Sequence, residues 1–273
     1  MIQTLTSSIA ILLYLVSSLL LARRLFHDRT KPQREGGLSK TQIILIGLLA
    51  VVLHALGLYN GLFVAGGLNI GFFNAFSLIT WLIALLILLA ALFNPIESLG
   101  VFLLPLASIA ISLEMIFPGH HTLVVAGAME LKLHIMMSVL AYSLLSIAAV
   151  QSLLLAVQDK HLRNKRPGGF IRALPPLQTM ETLLFQLIAL GLIVLTISLL
   201  SGAFYLEDMF AQHLVHKTIL SITAWVVFAI LLWGRWRFGW RGRTAIRWTL
   251  SGFFVLLLAY MGSKWVMEII LGR

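Results

Sequence analysis

His134 stands four residues after Glu130, and Ser138 and Tyr142 follow at further steps of four. His213, Lys217, Ser221 and Trp225 repeat that spacing. Residues four apart share a face of an α-helix, so each set reads as one row of chemically capable side chains. His216 adds an imidazole three residues after His213. His54 lies in an apolar run and shares its helical face with Gly47, Ala50, Gly57 and Gly61. Such a face of small residues admits a close neighbour, so His54 is expected to point into a bundle rather than into lipid. Neutral imidazole is a ligand for iron, zinc, copper or nickel. With no cysteine in the chain, thiolate sites, disulfide frameworks and CxxC motifs are excluded.

The elements that position these residues follow from composition. The chain is 60% hydrophobic and 11% charged, with a mean hydropathy of +0.98. Its apolar runs of about 18 residues or more each suffice to cross the roughly 30 Å hydrocarbon core as a helix. Backbone groups facing lipid must be satisfied internally, and the runs do not alternate, so helices rather than strands are expected. Eight spans are predicted, at 3–22, 42–62, 70–93, 98–116, 131–157, 181–204, 217–234 and 247–270. Asn94-Pro95, Pro118-Gly119 and Pro175-Pro176 mark joints between them. The first run has no Lys or Arg before it and Arg23-Arg24 after it, the reverse of a cleavable signal, so an uncleaved span is expected. The reading is an all-α polytopic membrane bundle, with one transmembrane domain over 1–273.

The net charge of +10 is a topology signal rather than a nucleic-acid footprint. Of 20 Lys and Arg residues, 16 fall in 23–40, 158–180 and 234–247, three segments on one side of an eight-span path. The other side holds Lys132, Lys217, Lys264 and Arg273. The basic side is therefore expected to be cytoplasmic and both termini outside, with membrane lipid the surrounding partner. His27 and His161 then fall in basic loops, whereas His54, His120, His121, His134, His213 and His216 fall in the outer half. Carboxylates there are few: Glu114, Glu130, Glu207, Asp208 and Glu268. Histidine-rich and carboxylate-poor surroundings with aromatic walls suit bis-histidine haem better than hydrated Mg²⁺ or Ca²⁺. His120 and His121, beside Pro118-Gly119, read as a solvated loop pair, and Trp233, Trp236 and Trp240 as interfacial anchors.

The stretches ELKLHIMMSVLAYSLLSIAAVQSLLLAVQ (130–158) and HKTILSITAWVVFAILLWGRWRFGWRGRTA (216–245) resemble the CcsA/CcmC-type cytochrome c assembly family, and within it the short YpjD-like, or HemX-like, subgroup. The resemblance covers about 70–273, with 1–69 as a two-helix N-terminal extension. It implies a bacterial inner-membrane protein that handles haem at the outer face, with other cytochrome c biogenesis components as partners. It implies His134 as an axial haem ligand, with Tyr142 below it in the same span. The family's cytoplasmic GWRGR turn is matched by Gly239, Trp240, Arg241, Gly242 and Arg243. A Trp-rich WWDPKE-like segment of the family falls on Leu214 to Thr218, where only Lys217 survives. The family's second outer histidine has no counterpart here. His213 and His216 occupy the place of the lost segment and are candidates to supply the missing ligand.

The sequence thus predicts a non-enzymatic haem-handling membrane protein. Its candidate cofactor-binding residues are His134, His213, His216, His54, Tyr142 and Trp225. His134 with either His213 or His216 would hold the iron, and His54 would be an inner ligand or relay. A rival reading, a divalent-metal transporter for cobalt or a similar ion, would need polar groups continuing into the cytoplasmic half, which is mostly Leu, Ile, Ala and Val. A third is a structural membrane partner with a degenerate haem site. A one-sided site predicts that changing His27 or His161 leaves binding intact. Binding should weaken as pH falls through about 6.5, where ordinary imidazole protonates.

Overall fold

The computed structural model describes residues 2–26, 38–64, 67–69, 71–117, 122–123, 129–164, 168, 170–205 and 215–262. The helices are α1 (Ile2–Phe26), α2 (Lys40–Leu62), α3 (Phe72–Phe93), α4 (Glu97–Ile116), α5 (Met129–Arg163), the short α6 (Phe170–Ala173), α7 (Leu177–Tyr205), α8 (Val215–Phe238) and α9 (Arg243–Leu257). Seven of them, α1 to α5 with α7 and α8, are long and apolar enough to cross a membrane. The expected eighth span, 247–270, is represented by α9 and a π-helical turn, Leu258–Gly262, that continues it; residues beyond 262 lie outside those described. A small antiparallel ribbon was not expected: β1 (Phe63–Val64) pairs with β2 (Gly67–Asn69), which pairs with β3 (Thr122–Leu123).

The chain forms two compact units, Met1–Leu123 with Lys165–Pro175, and Val124–Asn164 with Pro176–Arg273. In the first, α1 packs on α2, α2 on α3, α3 on α4 and α4 back on α1, which closes a ring of four helices. The small face of α2 does what its composition predicts. A Cβ at Gly57 would stand 2.8 Å from Ser7 Oγ, and one at Gly47 would stand 3.0 Å from Ser17 Oγ, so both glycines admit α1. Pro105 lies inside α4 and has no N–H to give the carbonyl of Val101 four residues earlier. Ser18 of α1 donates its hydroxyl to that carbonyl at 2.9 Å, so the proline is accommodated by a neighbouring helix. At one end of this unit, Lys40 at the start of α2 donates to the Asn94 carbonyl and pairs with Glu97 of α4, both at 3.0 Å.

In the second unit the ring runs α5, α7, α8, α9 and back to α5. In lipid there is little hydrophobic drive between helices, so close fit decides the packing. A Cβ at Gly191 would come within 2.7 Å of Leu145, and one at Gly252 within 3.0 Å of the buried Phe228 ring. These glycines set how closely α7 meets α5 and α9 meets α8.

Sidedness has a direct check, because there are no native cysteines. Lys132 and Lys160 are both exposed and lie at opposite ends of α5. A membrane-impermeant maleimide should label Lys132→Cys in intact spheroplasts and Lys160→Cys only after permeabilisation. The reverse pattern would overturn the orientation drawn from the 16 clustered basic residues.

Candidate functional site

His134 lies half-buried near the start of α5, with Nδ1 3.1 Å from the Ser198 carbonyl and 3.0 Å from Ser201 Oγ of α7. Ser201 donates its own hydroxyl to that carbonyl at 2.8 Å. A carbonyl only accepts, so the hydrogen-bond network assigns the ring proton to Nδ1. Nε2 is then a bare lone pair, and no described residue hydrogen-bonds to it. Imidazoles prepared for a metal have this form, one nitrogen tied to a carbonyl and the other free.

The row beneath His134 is real. Ser138 donates to the His134 carbonyl at 2.8 Å, and its Oγ also lies 2.8 Å from Ser198 Oγ. Tyr142 is buried; its hydroxyl donates to the Leu256 carbonyl of α9, and its ring centroid lies 5.6 Å from that of Tyr260. The face that begins at exposed Glu130 therefore turns inward, first against α7 and then against α9. Ser198 and Ser201 were missed in the sequence, where two serines three apart within ISLLSGA were the available signal.

The remaining candidates are dispersed. His216 is exposed in the first turn of α8, while His213, His120, His121 and His27 lie outside the described residues. Trp225 donates its indole N–H to Thr196 Oγ1 at 2.8 Å. Thr196 is two positions from Ser198, about 200° around α7, so Trp225 and His134 meet different sides of that helix. His54 belongs to the first unit and is 2% exposed. Both its ring nitrogens are engaged, Nδ1 with Tyr14 Oη at 3.3 Å and Nε2 with Ser77 Oγ at 2.9 Å. As a ligand it would have to give up one of these bonds.

With this geometry in place, the chain can be compared with known proteins. The family described as Cytochrome C assembly protein matches residues 42–271. This chain belongs to that family. It is 33% identical over 244 residues to inner membrane protein YpjD of Escherichia coli (strain K12), a match covering 87% of this chain and 90% of that one. It is 23% identical over 234 residues to protein HemX of Brevibacillus brevis, covering 82% and 85%. Cytochrome c biogenesis protein CcsA of Chlamydomonas reinhardtii is 29% identical over 142 residues, covering 50% of this chain and 38% of its own. No solved structure matches. This cytochrome c assembly protein is a multi-pass inner-membrane protein, as its spanning helices and its YpjD homologue show.

The GWRGR turn of this family member has a structural anchor that its sequence did not disclose. Gly239 and Gly242 adopt φ of 66° and 55°, where a side chain is strained. Glu181 of α7, 2% exposed, accepts the Gly242 N–H at 2.7 Å and pairs with Arg241 at 3.5 Å. Asp159 of α5 likewise holds Arg243 at 3.5 Å. Trp233 and Trp236 are exposed, as anchors should be, but Trp240 is not of their kind. Its ring fills the space left by Gly234, where a Cβ would stand 2.3 Å away, and it packs on Trp248 at 5.4 Å.

Proposed function

We propose that this cytochrome c assembly protein binds haem at the outer face of the inner membrane through Nε2 of His134, and hands it on without acting as an enzyme. The carrying observation is the half-buried imidazole whose Nδ1–H is held by the Ser198 carbonyl while Nε2 has no hydrogen bond among the described residues. The residues fit the group. Haem brings four equatorial nitrogens of its own and asks the protein for one or two axial donors. A bare Zn²⁺ or Co²⁺ asks for three or four. Among the described residues no three of His, Cys, Asp and Glu are gathered for such an ion.

In this reading Ser198 and Ser201 orient the ring. His213 or His216 would supply the second nitrogen to the iron. Bound haem would contribute the iron that accepts the Nε2 lone pair; the chain contributes position, tautomer and water exclusion. Family membership, and a relative named for cytochrome c biogenesis, support other components of that process as partners, and lipid surrounds the helices. The test is haem titration into the purified full chain at neutral pH. A low-spin absorption spectrum is expected, and its absence at saturating haem would overturn the reading. Micromolar cobalt or zinc binding that depends on His54 would put the transporter in its place.

A further inference from the structure

At the end of α5 far from His134, the second unit carries a charged surface that the haem reading does not use. The stretch 234–247 holds five arginines and no lysine. A sidedness signal needs only positive charge, which lysine supplies as well. Guanidinium differs in its planar fork, which meets two oxygens of a phosphate at once.

The fold joins these arginines to others. Asp159 Oδ2, near the end of α5, is shared by Arg163 at 3.6 Å and Arg243 at 3.5 Å. Arg241 reaches the buried Glu181, yet its side chain stays 65% exposed. Arg247 follows Arg243 by about one turn on the same side of α9, and Arg237 lies in the last turn of α8. Both are exposed, and neither pairs with a carboxylate among the described residues. Arg235 is of another kind: half-buried over the Phe185 ring, it donates to the Trp240 carbonyl at 3.2 Å. The described carboxylates at this end are Asp159 and Glu181, since Glu130 starts the helix that Asp159 ends. One carboxylate does not neutralise two guanidiniums, so the patch keeps an excess of positive charge.

The side chains between the arginines indicate which anion fits. Trp236 is 82% exposed and Phe238 60%. The Phe238 ring meets Trp233 at 5.4 Å and Trp240 at 6.2 Å. Exposed aromatic rings at a span end mark the level where hydrocarbon gives way to headgroups. A phosphate dissolved in water has no use for them, whereas a phospholipid sets its phosphate at that depth and its chains against the helix.

We infer that Arg237, Arg241, Arg243 and Arg247, with Trp236 and Phe238, form a binding site for the headgroup phosphate of an anionic phospholipid. The site stands whether or not haem binds at His134.

The test titrates the full chain, in non-ionic detergent, with dioleoylphosphatidylglycerol or dioleoylphosphatidylcholine and counts bound lipid by native mass spectrometry. Phosphatidylglycerol should bind more tightly. Joint Arg237→Gln and Arg247→Gln substitution should cut that preference by about fivefold for each arginine. Lysine at both places keeps the charge without the fork and should restore only part of it. Glycerophosphoglycerol, the same headgroup without acyl chains, should not displace the lipid at equal concentration. Equal binding of the two lipids would overturn the proposal, as would a preference undiminished in the glutamine pair. A full preference in the lysine pair would reduce the site to a diffuse field, and displacement by glycerophosphoglycerol would remove the lipid as occupant; either outcome overturns it. If thermal unfolding shows the glutamine pair to be misfolded, the wild-type lipid comparison and the lysine pair still decide.

Discussion

His134→Ala abolishes the low-spin haem spectrum of the purified protein, and this is the largest single effect expected. Among the described histidines only His134 is half-buried with one ring nitrogen held by a neighbouring helix and no hydrogen bond to the other. His54 has both nitrogens engaged, and His161 and His216 are exposed, so no neighbour replaces it. The supporting shell should show a graded response. Ser201→Ala removes a hydroxyl 3.0 Å from Nδ1 but keeps the Ser198 carbonyl, so binding weakens, by about tenfold or somewhat more, without vanishing. His161 is the internal control. It lies at the far end of the same helix, with Nδ1 2.9 Å from the Val157 carbonyl, yet it is exposed and at the basic end. His161→Ala should leave the spectrum intact. Either His213→Ala or His216→Ala, but not each of them, should convert low-spin iron to high-spin, while His120→Ala and His121→Ala do little. Loss of binding in His161→Ala with His134→Ala unaffected would place the site on the wrong end of α5.

The spans were legible because apolar length and proline joints are local signals. The predicted 131–157 lies inside α5, but the helix runs on to Arg163, since an apolar run reports hydrocarbon thickness and not where helical hydrogen bonds stop. The His134 row was legible for the same reason, as i+4 spacing is a property of one helix. Its partners were not. Ser198 and Ser201 are 64 and 67 residues away, and only packing shows which face of α7 meets α5. Trp225 illustrates the converse. Its position in a row beneath His213 suggested a shared wall, whereas its indole goes to Thr196 on another side of α7. The ribbon at residues 63–69 and 122–123 has strands of two or three residues, too short to alternate, so no pattern announced it. The Tyr14–His54 bond joins two spans through one atom pair, which no composition encodes.

The second large effect concerns the GWRGR turn. Glu181→Leu should destabilise the detergent-solubilised protein by about 1–3 kcal/mol, the usual cost of orphaning a buried hydrogen-bonding partner. The N–H of Gly242, held at 2.7 Å, would face an apolar side chain at the start of α9. Glu181→Gln separates the two things that the carboxylate does. Its amide oxygen can still accept from Gly242, and only the charge opposite Arg241 is lost. That contact is 3.5 Å long and the arginine side chain is 65% exposed, so solvent leaves it little worth. Thermal unfolding should therefore rank wild type close to Glu181→Gln, with Glu181→Leu well below both. If Gln falls as far as Leu, the charge and not the hydrogen bond holds the turn, and the basic residues around it become part of the fold rather than only a signal of sidedness.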